Sequence, residues 1–67
     1  MKIFLNDREE EFDRDSMSVS EMLELKKFSF RMRVIKINGV LVPGESYGNT
    51  MISEGDRVQM IYLMSGG

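Results

Sequence analysis

The sequence closes on Ser65-Gly66-Gly67, and these residue types bear most directly on chemistry. Glycine lacks a Cβ and reaches backbone angles closed to other residues. A main chain ending in two glycines can therefore thread a narrow channel and bring its carboxylate against a catalytic wall. The five extended residues from Leu63 to Gly67 reach at most about 17 Å, enough to enter a buried site while the domain stays outside. Ordering such a tail costs about 1–2 kcal/mol per residue, so docking elsewhere on the domain has to offset it.

The remaining side chains offer little catalytic equipment. With no histidine and no cysteine, the usual nucleophile–base pairs are absent, and an enzyme is not expected. The missing thiol also means that the chain cannot hold sulfur on a side chain of its own. Glu9, Glu10, Glu11, Asp13 and Asp15 suggest calcium at first sight, but the run lacks the glycine and closing glutamate of an EF-hand loop. They read as a solvated edge, and no metal site is expected. No Gly-Lys-Ser/Thr follows any glycine, so there is no phosphate-cradling loop and no nucleotide site. The seven methionines read as adaptable core filler, with a few available to a contact surface.

Positioning the tail falls to a short chain of alternating elements. Residues 2–5 read as a strand and Asn6-Asp7 as a turn, since both residues tolerate left-handed angles. Residues 9–12 return as a second strand whose carboxylates suit an edge. Ser18-Val19-Ser20-Glu21 is a capping box in which Ser18 and Glu21 each satisfy the other's main-chain N–H. Val19, Met22 and Leu23 then line one apolar face, and a helix over roughly 19–28 follows. Lys26 and Lys27 are expected in its last turn, where cations suit the helix dipole. Residues 33–37 are a strongly β-branched strand. Asn38-Gly39 is the best hairpin signal in the chain, because a type I′ turn needs two positive φ angles. Residues 40–42 form the return strand, residues 44–49 a loop with room for one helical turn, residues 53–56 a turn, and residues 57–63 the last strand.

This order predicts an α+β fold, with one helix across one face of a five-stranded mixed sheet. Residues 1–63 are expected to form a single domain and residues 64–67 a flexible tail. A chain of 67 residues buries only about 60% of the surface its unfolded form exposes, so the core has to rest on close apolar packing alone. The 42% apolar and 30% charged composition is that of an ordinary globular domain. A net charge of −2 argues against nucleic acid as a partner. Apolar runs such as Val40-Leu41-Val42-Pro43 fall far short of a membrane span. The start turns polar too early for a secretory signal, and the expected location is cytoplasmic.

Charge is segregated along the chain. Residues 7–24 carry eight acids against Arg8 and Arg14, whereas residues 25–36 carry Lys26, Lys27, Arg31, Arg33 and Lys36 with no acid. Solvated surface of both signs explains this, and so does a pair of patches that steer partner proteins. Strand alternation sends Ile3, Leu5, Ile35, Ile37, Val58 and Met60 toward the helix, and Phe4, Val34, Lys36, Gln59 and Ile61 outward. Phe4, Val34 and Ile61, with Leu63 at the rim, then become candidates for an apolar docking patch on the open face.

Several of these motifs recur together in one family. The Ser18-Val19 helix start with Met22-Leu23, the Asn38-Gly39 hairpin, the Val42-Pro43 end, the Glu54-Gly55-Asp56-Arg57-Val58 turn and the closing Gly66-Gly67 resemble the ThiS-type sulfur carriers of the ThiS/MoaD ubiquitin-like family. The resemblance covers the whole chain and implies a β-grasp fold, free as a monomer. It further implies a role in thiamine (thiazole) biosynthesis. A ThiF-like adenylating enzyme would spend ATP to form an acyl-adenylate on Gly67, and a sulfur donor protein would convert it to a thiocarboxylate. That group would pass its sulfur to a thiazole synthase-like acceptor, with no cofactor bound to the carrier itself. In this scheme Gly66 and Ser65 belong to the tail that delivers Gly67. The ending Met64-Ser65-Gly66-Gly67 departs from the three glycines after a valine seen in many thiamine carriers. It is closer to the molybdopterin-synthase small subunit, whose paired prolines are replaced here by Leu63-Met64. That subunit and a ubiquitin-like protein modifier are the alternative readings.

Overall fold

The computed structural model describes residues 1–27 and 33–63. Strand β1 (Lys2–Leu5) and strand β2 (Arg8–Glu11) form the first hairpin, with Leu5 opposite Arg8. Asn6 and Asp7 have φ of 51° and 67°, the two left-handed residues that a type I′ turn requires. The short strand β3 (Met17–Ser18) leads into helix α1 (Val19–Leu25). Strands β4 (Arg33–Ile37) and β5 (Val40–Val42) form the second hairpin, and its turn residues Asn38 and Gly39 have φ of 51° and 83°. A single 3-10 turn (Gly44–Ser46), strand β6 (Met51–Ile52) and strand β7 (Arg57–Tyr62) complete the order.

The main sheet has the order β2-β1-β7-β4-β5. β7 lies between the two hairpins, parallel to β1 and antiparallel to β4. One helix packed on a mixed five-stranded sheet is the β-grasp architecture expected. The carboxylate-rich strand β2 stands at an edge, as its composition requires. Alternation holds as well. Ile3, Leu5, Ile35, Val58 and Met60 are buried with Val19, Met22 and Leu23 of α1, and Ile37 packs half-buried against them. No helix among the described residues is long and apolar enough to cross a membrane.

Helix α1 is only seven residues long, too short to persist by itself, so its ends are tied to the rest of the fold. The capping box is complete: Glu21 N–H donates to Ser18 Oγ at 3.1 Å, and Ser18 N–H donates to Glu21 Oε1 at 2.8 Å. The first-turn amides of Val19 and Ser20 donate to the carbonyls of Thr50 and Tyr47. The loop after β5 thereby satisfies donors that a helix start leaves open.

Three element boundaries differ from the sequence expectation. The helix stops at Leu25 rather than near residue 28, because Lys26 caps it and Lys27 turns left-handed at φ 59°. Lys26 and Lys27 therefore lie beyond the last turn rather than in it, and residue 28 lies outside the described residues. The second strand is displaced by one residue, since the hairpin closes on Arg8. The last strand ends at Tyr62, opposite Arg33 at the start of β4. A fourth difference is an element the sequence did not announce. β3 and β6 form a separate antiparallel ribbon, Met17 opposite Ile52, and both side chains are fully buried.

Candidate functional site

Among the described residues, helix α1 covers one face of the sheet and leaves the other open. Cross-strand register sets three rows on that open face. Val34 stands directly opposite Ile61; Lys36 lies between Gln59 and Leu41; Phe4 lies between Glu9 and Arg57. Of the four residues expected to form a docking patch, the fold brings Val34 and Ile61 side by side, with Ile61 46% exposed. Leu63 follows two positions later, exposed to a similar degree, where the chain leaves β7. Phe4 is set apart. It pairs with Arg57, four residues from Ile61 along β7, which is about 13 Å at strand spacing. The Arg57 guanidinium lies 5.5 Å from the centre of the Phe4 ring, close enough for a cation–π contact.

Leu41 is a residue that sequence reading passed over. It is 57% exposed and stands on the open face opposite Lys36. The signal was present in Val42, whose burial on the other face fixes the alternation of β5.

The electrostatics of this face are divided. Glu9 and Glu11 face out at the β2 edge, where Lys2 Nζ lies 3.9 Å from Glu9. Arg57 and Lys36 supply positive charge nearer the centre. Glu10 points the other way, and its Oε1 meets Lys26 Nζ at 3.0 Å with both side chains partly buried. The acidic run is thus a solvated edge except at Glu10, which ties β2 to the end of α1. The pKa of Glu21 is lowered, chiefly by the main-chain N–H of Ser18; desolvation opposes this, and the Ser18 hydroxyl and Arg14 add smaller lowering effects.

The strand that launches the tail is held from both flanks. Asn38 N–H donates to Arg57 O at 2.7 Å, and Arg57 N–H donates back to Asn38 Oδ1 at 2.9 Å. On the other flank, Phe4 and Asn6 donate their main-chain N–H groups to Asp56 O and Val58 O. Gly55, at φ 82°, donates to Lys2 O, and Glu54 accepts from Lys2 N–H, so the turn entering β7 is anchored to the start of β1. Ser65, Gly66 and Gly67 lie outside the described residues; the described chain reaches Leu63, at the exit of β7.

This arrangement presents a half-apolar sheet face beside the root of a Gly-Gly tail, and comparison with known proteins agrees with it. The family model described as the ThiS family matches residues 1–67. The crystal structure of the thiamine biosynthesis protein ThiS from Geobacter metallireducens is similar, with a TM-score of 0.91 and 28% identity over 100% of both chains. The NMR solution structure of a thiamine biosynthesis protein from the same organism matches with a TM-score of 0.80 and 28% identity, covering 100% of this chain and 88% of that one. No curated protein matches. With its model matched from the first residue to the closing Gly66-Gly67, the chain belongs to the ThiS family.

Proposed function

We propose that this protein is the sulfur carrier of thiamine (thiazole) biosynthesis and that Gly67 is its working residue. The observation that carries this reading is the family match over residues 1–67, which runs through the glycine pair. A sulfur-carrier role follows from family membership. The pathway is supported by the crystal and solution structures of one similar Geobacter metallireducens protein, described as a thiamine biosynthesis protein.

The chemistry begins at the Gly67 carboxylate. One carboxylate oxygen attacks the α-phosphorus of ATP on a ThiF-like partner, forming an acyl-adenylate and releasing pyrophosphate. Sulfide, delivered by a sulfur donor protein, then adds to the acyl carbon. The C–O bond to AMP breaks, and a thiocarboxylate remains. A thiazole synthase-like acceptor takes the sulfur from that group. The carrier supplies no catalytic side chain in this scheme and binds no cofactor; ATP belongs to the partner, and a cytoplasmic setting suits all three partners. What the carrier supplies is presentation. Gly66 and Ser65 let the tail enter the partner, while Val34, Ile61 and Leu63, with Phe4 beyond Arg57, hold the domain against its surface.

The test is an intact-mass measurement on protein purified with the adenylating partner of its own genome, without alkylation. Replacement of one oxygen by sulfur, localised to the Gly66-Gly67 fragment, is the expected result. Unmodified carboxylate in the presence of partner, ATP and sulfide overturns the reading. Gly67 found linked to a lysine of another protein would assign the chain as a modifier instead.

A further inference from the structure

Strand β1 pairs with β7 only through Phe4 opposite Arg57 and Leu5 opposite Val58. Beyond Leu5 the main chain turns away, since Asn6 and Asp7 are both left-handed. The ladder nevertheless continues for one more step. Met60 N–H donates to Asn6 Oδ1 at 2.8 Å, and Asn6 Nδ2 donates to Met60 O at 3.1 Å, across 54 residues of sequence. The Asn6 carboxamide thus stands in for the peptide group that β1 no longer supplies. Together with its own N–H on Val58 O at 2.8 Å, Asn6 holds β7 at three points.

Resting on the sulfur-carrier reading above, we infer that Asn6 is the positioning residue for the tail: it fixes the strand from which Gly67 is delivered. Met60 lies two residues before the end of β7 and seven before Gly67. The last strand ends at Tyr62, and the hold on Met60 fixes the direction in which the chain leaves the sheet there. On the β4 flank, pairing continues to Tyr62. On the β1 flank, the carboxamide alone takes the place of a strand at Met60. Both its atoms are needed, because the Met60 N–H requires an acceptor and the Met60 carbonyl a donor. Asn6 acts through the strand, by its bonds to Met60 and Val58.

Asn6→Gly is the informative variant. Glycine keeps the left-handed turn without strain and deletes only the carboxamide. Asn6→Asp tolerates the same angle and can still accept from Met60 N–H, but it cannot donate to Met60 O when ionised. Two readouts are compared for folded wild type and both variants. In the free protein, hydrogen exchange at Met60 N–H is expected to quicken about tenfold in Asn6→Gly, with Ile35 and Met22 amides unchanged. In ATP–pyrophosphate exchange with the adenylating partner, kcat is expected to fall about tenfold with KM held within about twofold, and Asn6→Asp should fall between wild type and Asn6→Gly. A merely structural role would not lower kcat for protein that is fully folded and still binds its partner. Unchanged exchange at Met60, or a wild-type kcat in Asn6→Gly, overturns the positioning role. Failure of the wild type itself to turn over removes the carrier reading, and this role with it.

Discussion

Asn6 and Asn38 stand on opposite flanks of β7 in the same backbone conformation, φ 51° in each, and each uses its side chain to hold that strand. Asn6 grips Met60 from the parallel side. Asn38 accepts from Arg57 N–H on the antiparallel side and donates from Nδ2 to Asp56 Oδ1 at 3.1 Å. Each is the first residue of a two-residue hairpin turn. The two hairpins of the fold are therefore closed onto the central strand by the same residue type for the same two reasons: tolerance of the left-handed region and a carboxamide that can both give and accept.

Asn38 offers a stability test of that dual role. Asn38→Ala removes both side-chain hydrogen bonds and forces alanine into the left-handed region, each effect worth about 1 kcal/mol. Asn38→Gly removes only the hydrogen bonds. Urea unfolding should place Asn38→Ala lowest and Asn38→Gly between it and the wild type. Equal midpoints for the two variants would mean that backbone strain contributes nothing at this turn.

The capping box predicts a specific acid sensitivity. Glu21 has a lowered pKa in the folded state, chiefly because Ser18 N–H donates to its carboxylate. A group depressed on folding stabilises the protein above its unfolded pKa, about 4.3 for glutamate, and loses that contribution as pH falls through the folded value. Glu21→Gln should therefore melt below wild type at pH 7, with the difference shrinking toward pH 3. Ser18→Ala should cost about 1 kcal/mol at pH 7 through the lost cap. A Glu21→Gln difference that does not change with pH would remove ionisation from the account.

Much of the fold was legible because local chemistry and tertiary structure agree. Asn6-Asp7 and Asn38-Gly39 specify hairpins with no help from the core, and the Ser18–Glu21 box marks the helix start unaided. What escaped depended on partners distant in sequence. β3 and β6 are two residues each, too short for any periodicity, and exist because Met17 and Ile52 meet across the molecule. The helix end was overrun because its left-handed residue is Lys27, where a glycine would have announced a stop. Alternation alone puts Val34 and Ile61 on the open face, but the separation of Phe4 from them depends on the register of β1 on β7. The grip of Asn6 on Met60 needed the same register, and nothing in the residues around position 6 foretells it.

The ribbon carries a prediction about the core. Ile52 is fully buried although its strand lies outside the main sheet, and Ile35 is fully buried at the sheet centre opposite Met60. Truncation of either to alanine should cost about 2–5 kcal/mol through lost burial and the cavity left behind. For 67 residues the whole folding free energy is roughly 3–10 kcal/mol, so both variants should be close to unfolding at 37 °C. Circular dichroism melts would show it. An Ile52→Ala protein as stable as wild type would demote the ribbon to a surface feature.

Docking through the open face and positioning of the tail should separate kinetically. Ile61 and Leu25 are almost equally exposed, 46% and 47%, but Ile61 lies on the open face beside Val34 while Leu25 lies on the helix. If exposed apolar area alone drew the partner, replacing either would weaken binding alike. If the open face is the contact, only Ile61 matters. Ile61→Thr keeps a β-branched residue in the strand, so the fold should persist. Loss of a central apolar contact is worth about 1–2 kcal/mol, a rise in KM for partner-dependent pyrophosphate exchange of roughly fivefold to thirtyfold. The kcat at saturation should stay at the wild-type level, because the tail still leaves a correctly held β7. Leu25→Ala should change neither constant. Asn6→Gly, by contrast, should lower kcat at an unchanged KM. Equal effects of Ile61→Thr and Leu25→Ala on KM would move the docking surface off the open face.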